Sequence, residues 1–485
     1  MATRTSTNNQ IRSFAFIWIG ITLMLGIAAF LAIYLAYEEP TSEISIPQAD
    51  LSQPTTVMGA ATPVPTLQAP ATATEPPTAT PTLIPTAIPM IAQVDDPTAT
   101  TPPPTQTPTT VPTMLPVDNT EFAVGIQIQP SITFTEEYQR GWFGDAQGLG
   151  LNWYKQQVRW QDFEPEKGEY DWGQLDFALP IASDMGFNVL ISVIAAPEWA
   201  RTPGLDMSME GPPANMQDFI NFLDAMLKRY PGQIHAIEVW NEPNLDREWM
   251  TTGGVSAPHY MEMLQLAYNI IKANDPGIIV ISGALSPTGG APPLANGAEV
   301  AIDDFSYLDS LLANGMLDYS DCMGVHHNGI NVPPSVTWDN VPDDPDASYR
   351  GPFENPHHSW SFRSTLETYA DKIAATGAAP KLCITEFGWP SVEDLDGPPR
   401  GDFSFALDNT LQEQADWTVE ALTNMEEWGF VWLAMIWNLN YGPQAGFNPE
   451  NDNVAYSFLG PNFTQRPVMA AVRAWSAARE QEPGQ

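Results

Sequence analysis

The chain has 485 residues, 43% of them hydrophobic, which is enough for one large domain with a sizeable core or for two smaller ones. Its 58 acidic residues outnumber the 19 basic ones and give a formal charge of −39, which repels phosphate backbones and argues against a nucleic-acid partner. Two cysteines are too few for a disulfide framework or a structural zinc site.

The first predicted element is a transmembrane anchor over residues 14–37. These residues carry no charge and are numerous enough to span a bilayer. Arg4 and Arg12 precede them and acidic residues follow, so the positive-inside rule leaves residues 1–13 in the cytoplasm and takes the rest of the chain across the membrane. A cleaved signal peptide is the alternative, but its apolar core is shorter and no small-x-small cleavage site follows Ala36.

Residues 38–118 have the composition of a linker. The stretch from 40 to 118 holds 18 prolines and many Thr and Ala residues, with no Lys or Arg. Such a composition cannot bury a core, because it lacks the apolar residues that offset the entropy of ordering a chain. The segment is therefore predicted to be a disordered, partly polyproline linker.

From residue 119 to 485 the pattern changes to short apolar runs that alternate with amphipathic helical segments. Most of the runs are almost continuously apolar, as expected of parallel strands that are buried on both faces. Eight such runs are predicted as strands: 122–128, 156–160, 188–196, 235–241, 277–285, 321–327, 381–387 and 430–438. Eight βα units predict an α/β protein of the (β/α)8 TIM-barrel class, with an open doubly wound sheet as the alternative.

Two glutamates stand at the carboxyl ends of predicted strands, where barrels of this class hold their active sites. Glu242 follows the fourth strand in WNEPN, and Glu386 ends the seventh in ITEFGWP. The two strands face each other obliquely across the barrel mouth, so the carboxylates can converge. Cleavage of a glycosidic bond needs such a pair, one to protonate the leaving oxygen and one to attack the anomeric carbon. Glu198, after the third strand, is the rival carboxylate, although nothing in its setting marks it as acid or nucleophile.

The motifs WNEPN and ITEFGWP resemble those of the clan of retaining (β/α)8 glycoside hydrolases that includes cellulases, β-xylosidases and β-galactosidases. The resemblance covers the chain from about residue 120 to 480. It implies that Glu242 is the acid/base and Glu386 the nucleophile, with their carboxyl groups about 5–5.5 Å apart. The neighbouring negative charge is expected to raise the pKa of Glu242.

The same resemblance implies three residues that contact the sugar. Asn241 is expected to hydrogen-bond the 2-hydroxyl, with capping of the next helix as the alternative. His326, in DCMGVHHNG, matches the histidine of the clan's sixth strand, and a packing histidine is the alternative. Trp437 ends the eighth strand, where the clan places an aromatic floor against the apolar face of the sugar, although barrel packing alone is also consistent with its position.

Two further residues are expected to act on the nucleophile. Arg159, from the region that resembles the clan's second strand, is expected to contact Glu386 and keep it ionised, with a structural ion pair as the alternative. Asn328 occupies the place where the clan often has a tyrosine that hydrogen-bonds the nucleophile, so its side chain is expected close to the Glu386 carboxylate.

No metal ion or cofactor is expected. His326 and His327 are consecutive residues of a strand and point to opposite faces, so both cannot easily hold one ion. The chain contains no HExxH pattern, no P-loop and no dinucleotide fingerprint after its first strand. Cys322 and Cys383 lie on neighbouring predicted strands and are interpreted as buried free thiols, since free cysteine packs as a small apolar residue.

Three functions agree with these patterns. The first is a retaining glycosidase for β-linked carbohydrate, with a monomeric catalytic domain held outside the cytoplasm by one membrane helix. The second is a non-catalytic carbohydrate-binding protein of the cell surface, which both glutamates and the accompanying Asn241 and Arg159 argue against. The third is a transglycosidase, which shares the first half of the reaction. The sequence names neither the sugar, nor its linkage, nor exo or endo action.

Overall fold

The computed structural model describes residues 117, 120–130, 135–345, 347, 350 and 357–481. The predicted cytoplasmic segment and membrane helix, residues 1–37, lie outside this part of the chain, as does nearly all of the predicted linker, residues 38–118. Within the described part, no helix is both long and apolar enough to cross a membrane. The anchor and the linker therefore stay predictions.

Eight parallel strands form one sheet in the order β5-β4-β3-β2-β1-β8-β7-β6. Their bounds are β1 Ala123–Gln127, β2 Trp153–Arg159, β3 Asn188–Ile194, β4 Ala236–Asn241, β5 Ile279–Ala284, β6 Met323–Asn328, β7 Leu382–Gly388 and β8 Val431–Ile436. Two parallel bridges, Ile281 with Cys322 and Leu285 with Val325, join β5 to the chain at β6 and close the sheet into a barrel.

A long helix follows each strand and packs outside the barrel. The helices are α1 Glu136–Gly148, α2 Gly173–Asp184, α3 Met216–Arg229, α4 Ala257–Asn274, α5 Asp304–Ala313, α6 Phe362–Ala375, α7 Leu411–Trp428 and α8 Pro467–Gln481. This alternation confirms the predicted (β/α)8 barrel and excludes the doubly wound sheet. A short hairpin, β9 Leu459–Gly460 and β10 Thr464–Gln465, lies between β8 and α8.

Local sequence explains where the helices begin and end, as α7 illustrates. The Thr410 hydroxyl accepts a hydrogen bond from the Glu413 backbone N–H, while the Glu413 carboxylate accepts one from the Thr410 N–H. This reciprocal capping box satisfies two backbone donors that the first turn would leave unpaired. The helix ends at Gly429, whose φ of 70° is a left-handed conformation that glycine adopts without steric cost.

The barrel interior at the amino-terminal ends of the strands is apolar. This lower layer consists of Trp153, Leu190, Ala236, Ile279, Ile281, Cys322, Cys383, Trp432, Leu433 and Met435. The indole rings of Trp153 and Trp432 meet edge to face with centroids 5.7 Å apart. Because its side chains are almost fully buried, the lower layer stabilises the barrel by removing apolar surface from water.

The two cysteines of the lower layer form a disulfide, so the prediction of free thiols is wrong. β6 and β7 pair in parallel with Gly324 opposite Cys383, which brings the Cα atoms of Cys322 and Cys383 to 5.9 Å. A disulfide bridges Cα atoms about 4.4–6.8 Å apart. Assigning both residues to neighbouring strands did not reveal this pairing, because the register between the strands sets the distance.

Candidate active site

A cavity of about 310 Å³ opens at the carboxyl ends of the strands. Six of the seven residues expected from the sequence line it: Arg159, Asn241, Glu242, Asn328, Glu386 and Trp437. The seventh, His326, is buried and contacts both catalytic candidates. Glu198, the rival carboxylate, is exposed and does not line the cavity. The ends of the barrel strands therefore bring the predicted residues to one place.

Glu242 and Glu386 converge on the same imidazole nitrogen. His326 Nδ1 lies 3.2 Å from Oε1 of Glu242 and 3.7 Å from Oε2 of Glu386. These contacts limit the distance between the two carboxylate oxygens to about 7 Å at most. Both side chains are almost buried yet reach the cavity wall, so a ligand there meets both carboxylates.

An irregular backbone at the end of β4 presents two consecutive residues to the cavity. In a regular strand Asn241 and Glu242 would point to opposite faces. Here Trp240 and Glu242 have φ values of 78° and 38°, which are uncommon for residues with a side chain. Both Asn241 and Glu242 consequently line the cavity. Strained backbone of this kind persists where surrounding packing holds it, often at functional sites.

Beneath the cavity, buried charges from four strands contact one another. This ion network consists of Lys155 on β2, Glu238 on β4, His326 on β6 and Glu386 on β7. The Lys155 ammonium lies 2.9 Å from Oε1 of Glu386 and 3.4 Å from Oε2 of Glu238, and it donates to the Thr385 carbonyl at 3.0 Å. The Thr385 hydroxyl donates to Glu238 at 2.6 Å. Each buried charge therefore has an opposite charge and further polar contacts to offset its desolvation.

The contacts of the network keep Lys155, Glu238 and His326 ionised near neutral pH. Burial raises the pKa of Glu238, but Lys155 and His326 lower it to about 2. Burial lowers the pKa of His326, but the carboxylates of Glu386, Glu238 and Glu242 raise it to about 10. The pKa of Lys155 is likewise raised, because Glu238 and Glu386 outweigh the effect of burial. Opposite charges within a few ångström thus favour the charged forms.

The cation that contacts Glu386 from β2 is Lys155, and the role expected for Arg159 is corrected accordingly. The Arg159 guanidinium pairs with Glu210 and lies 3.5 Å from Asp162. Side chains two residues apart on a strand share a face, but each step of two residues also moves about 6–7 Å along the strand. Arg159 therefore lies two such steps beyond Lys155 and lines the cavity together with Glu386.

The amide that donates to Glu386 belongs to Gln157, and among the described residues no direct hydrogen bond joins Asn328 to Glu386. Gln157 Nε2 donates to Oε1 of Glu386 at 3.3 Å. The register of β6 and β7 pairs His326 with Glu386 and places Asn328 opposite Gly388, two residues further along. Asn328 still lines the cavity, where its Oδ1 has no hydrogen-bond partner within the described part of the chain.

The expectation of a raised pKa for Glu242 is wrong in this structure. Arg247 Nη2 donates to Oε2 of Glu242 at 2.5 Å, while His326 faces Oε1. Burial raises the pKa of Glu242, but Arg247 and His326 lower it to about 2. Two cations therefore outweigh the effect of burial. Burial, together with the negative charge of Glu242, instead raises the pKa of Glu248 to about 8.

The remaining expected residues are placed to contact a ligand. Trp437 is largely buried beside the cavity, and its ring centroid lies 5.7 Å from that of Tyr441. The Oδ1 atom of Asn241 is buried and accepts no hydrogen bond from the described residues. An acceptor buried at a cavity wall without a partner is available to a hydroxyl of a bound molecule.

Sequence reasoning missed Lys155, Gln157, Glu238, Arg247 and Glu248. A signal was present for three of them. Lys155 and Gln157 precede Arg159 at intervals of two in YKQQVR, which puts all three on one face of β2. Glu238 stands inside an otherwise apolar strand, where an unpaired charge would be costly. Reading only the last residues of each strand overlooked these interior charges.

One group of metal-ligating residues lies apart from the cavity lining. Among the described residues, Asp303, His357 and His358 offer donor atoms within 4.8 Å of one another. His358 already uses Nε2 in a 2.8 Å contact with Asp304, which also accepts from the Tyr369 hydroxyl. These contacts account for His358 as part of a buried hydrogen-bond network between α5 and α6.

No protein-family model matches the chain, and no curated protein matches it. Solved structures do. A family 39 glycoside hydrolase from the gut symbiont Bacteroides cellulosilyticus is 17% identical, over 76% of this chain and 65% of that one, with a TM-score of 0.50. GH5_18 from Streptomyces cattleya, solved in complex with GlcNAc, is 14% identical over 75% of this chain and 82% of that one, also with a TM-score of 0.50.

The chain has the fold of the (β/α)8 glycoside hydrolases. It spans about two thirds of the length of the family 39 structure. At these identities the likeness concerns the fold, and unrelated functions occur on the same barrel. The function has to be argued from the cavity and its residues.

Proposed function

We propose that this chain is a retaining glycoside hydrolase that cleaves β-linked sugars, with Glu386 as nucleophile and Glu242 as acid/base. The supporting observation is the convergence of the two carboxylates on His326 at an open cavity. The upper limit of about 7 Å between Oε1 of Glu242 and Oε2 of Glu386 is compatible with the separation of about 5–5.5 Å between the carboxyl groups of retaining enzymes.

The surroundings of Glu386 suit a nucleophile. Lys155 and Gln157 both donate to Oε1, while Oε2 faces His326. These contacts fix the carboxylate in one orientation, and the two cations stabilise its negative charge. A nucleophile that is held in place before the substrate arrives loses little entropy in the reaction.

The reaction then proceeds in two displacements. In the first, an oxygen of Glu386 attacks the anomeric carbon, the glycosidic C–O bond breaks, and Glu242 gives its proton to the leaving oxygen. In the second, Glu242 takes a proton from water, the water oxygen attacks the same carbon, and the bond to Glu386 breaks. Each displacement inverts the anomeric carbon, so the product retains the configuration of the substrate.

Two features of the cavity suit a sugar as substrate. Trp437 and Tyr441 offer aromatic surface for the apolar face of a sugar ring. Asn241 Oδ1 and Asn328 Oδ1 are buried acceptors without partners in the described part of the chain, and sugar hydroxyls can donate to them.

The test combines product stereochemistry with three variants. Nuclear magnetic resonance should show retention at the anomeric carbon during turnover of an aryl β-glycoside or a β-linked oligosaccharide. Glu386→Gln should lose turnover of every substrate, because the attacking group is gone. Glu242→Gln should lose turnover of substrates with poor leaving groups by about 10²–10⁴-fold, yet still form the glycosyl-enzyme from an activated aryl glycoside. Glu198→Gln, outside the cavity, is the matched control.

Each contrary result removes a different part of the proposal. A product of inverted configuration would contradict the double displacement. Full activity of Glu386→Gln would contradict the assignment of Glu386 as nucleophile. Tight binding of an oligosaccharide without turnover would favour a non-catalytic binding protein. Products longer than the substrate would favour a transglycosidase.

We further propose that the catalytic domain lies outside the cytoplasm, tethered by a helix over 14–37. The Cys322–Cys383 disulfide supports this location, because disulfides persist mainly in oxidising compartments. Protease added to intact cells should release an active fragment by cutting within 38–118. A barrel that is cleaved only after lysis would contradict the topology.

A further inference from the structure

The acid/base candidate is paired with an arginine from its own loop. Arg247, five residues after Glu242, donates from Nη2 to Oε2 at 2.5 Å. The other oxygen, Oε1, faces His326 Nδ1 at 3.2 Å. Both oxygens of Glu242 therefore lie against cations, and neither is positioned to carry the proton that an acid must deliver.

Only one of these two cations is free to move. The His326 side chain is 1% exposed and belongs to the ion network. The Arg247 side chain is 60% exposed and lies on the cavity wall, in the loop after β4. Release of Oε2 consequently requires a movement of Arg247, which needs no repacking of the barrel interior.

Alternative partners for the arginine lie close by. Arg247 Nε is 3.8 Å from Oε1 of Glu248, and the negative charge of Asp452 also acts on the guanidinium. Glu248 and Asp452 line the same cavity. A small rotation of the side chain exchanges one carboxylate partner for another, so the movement leaves no unpaired charge in the site.

We propose that Arg247 is a positioning residue that occupies Oε2 of Glu242 before the substrate binds and gives up this place to the leaving-group sugar. This inference rests on the proposed function. The glycosidic oxygen must approach an oxygen of Glu242 to receive its proton. Oε1 lies against the buried His326, which leaves Oε2, beside the exposed Arg247, as the position for it. The arriving sugar and the guanidinium therefore compete for one position.

The exchange has opposite effects on the two half-reactions. With Arg247 at Oε2, the negative charge of Glu242 is stabilised, which suits its role as base toward water. With Arg247 displaced, protonation of Glu242 costs less, because a cation has left and Glu386 stays nearby. The charged groups that line the cavity with Glu242 are Arg247 and Glu248 from its loop, Arg159 from β2, Glu210 from the loop after β3, Glu386 from β7 and Asp452 from the loop after β8. The buried His326 of β6 contacts its Oε1.

The experiment compares Arg247→Gln and Arg247→Lys with the unmodified full-length chain. The pH dependence of kcat/KM is measured on a β-glycoside with a poor leaving group. Its alkaline limb follows loss of the Glu242 proton, so removal of the arginine should move the limb up by about 1–3 pH units. Arg247→Lys keeps a cation and should restore part of the difference. Arg159→Gln removes the other cavity arginine, which does not contact Glu242, and should move the limb less.

A second measurement is independent of turnover. In protein labelled with ¹³C at the glutamate carboxyl groups, the Glu242 resonance is identified by its loss in Glu242→Gln, and its titration is followed in Arg247→Gln. An unchanged titration and an unchanged limb in an active enzyme would overturn the role of Arg247 and leave the proposed function standing. If the Glu242 titration shifts upward in Arg247→Gln but the unmodified chain hydrolyses no glycoside, the effect of Arg247 on Glu242 is supported and the proposed function is overturned.

Discussion

The lower layer of the barrel interior and the ion network above it are built from the same strands but from opposite kinds of side chain. Trp153 belongs to the lower layer, and Lys155, two residues further along β2, belongs to the ion network. On β7, likewise, Cys383 belongs to the lower layer and Glu386 belongs to the ion network. Each layer is almost fully buried, so exposure to solvent does not distinguish them.

The difference shows how one barrel divides stability from chemistry. The lower layer gains free energy from each apolar group that it buries. In the ion network, desolvation of the charges consumes much of their mutual attraction, so the arrangement adds little net stability. Its effect is to orient Glu386 and to hold Glu242 and His326 in defined charge states, which an apolar layer cannot do.

The largest expected effect comes from removing the cation of the network. Lys155→Met removes one of the two cations that Glu238 and Glu386 share, the other being His326. Breaking a buried pair costs about 3–5 kcal/mol. Urea unfolding should show this loss together with loss of turnover. Leu190→Ala in the lower layer should cost a similar amount, about 2–5 kcal/mol, with kcat nearly unchanged.

A double variant sharpens this first prediction. Adding Glu238→Gln to Lys155→Met removes one of the two carboxylates that lost Lys155 and should recover part of the lost stability. If Lys155→Met unfolds at the same urea concentration as the unmodified chain, the buried charges are not coupled as described.

The second prediction is that stability depends on pH through the ion network. The pKa of His326 is raised to about 10, so its contribution is fully present below its ordinary value of 6.5 and is lost as pH rises toward 10. The pKa of Glu238 is lowered to about 2, so its contribution is present above 4.5 and is lost as pH falls toward 2. The free energy of unfolding should therefore be highest between these windows.

Two variants distinguish the contribution of the ion network to the pH dependence of unfolding from the contribution of the lower layer. His326→Asn should flatten the decline on the alkaline side, because the group that loses its proton there is gone. Leu190→Ala should lower the whole curve without changing its shape. An alkaline decline that survives in His326→Asn would assign it to another group.

The third prediction concerns the disulfide of the lower layer. Cys322→Ala combined with Cys383→Ala opens a loop with a sequence separation of 61 residues. The expected loss is about 2–4 kcal/mol, because the unfolded chain regains conformational freedom. Turnover of the folded enzyme should not change, since neither residue lines the cavity. Two free thiols, titrated in the denatured chain without reductant, would contradict the bond.

The smallest expected effect distinguishes two amides near the nucleophile. Gln157→Ala removes a hydrogen bond to Glu386 and should lower kcat by about tenfold, the equivalent of about 1.4 kcal/mol. Asn328→Ala should act mainly on KM, because Asn328 lines the cavity without contacting Glu386 in the described structure. Equal losses of kcat in both variants would argue against a role of Gln157 at Glu386 that Asn328 does not share.

The barrel was predictable because each of its signals is local. Apolar runs and helical periodicity depend on neighbouring residues, and they indicated all eight strands. The second strand was predicted to begin at 156, whereas β2 begins at Trp153. The buried Lys155 explains the difference, since a charge inside a strand interrupts the apolar run that marks it.

The meeting of the two glutamates at one cavity was predictable for a similar reason. Glu242 and Glu386 stand at strand ends, and every parallel strand of a barrel delivers its carboxyl end to the same rim. Position along the strand was therefore enough to bring Arg159, Asn241, Asn328 and Trp437 to the cavity as well. It did not decide what each of them contacts.

The sequence by itself determined the barrel, the rim at which the chemistry lies and the two carboxylates placed there, because these depend on periodicity and strand ends. Only the tertiary structure decided that Lys155 serves Glu386, that Arg247 pairs with Glu242 and that the cysteines are joined. Lys155 and Glu386 are 231 residues apart, and their contact depends on the register of strands and the direction of side chains across the barrel. Charge states follow from such contacts, since each pKa reflects the few charges within several ångström of the group.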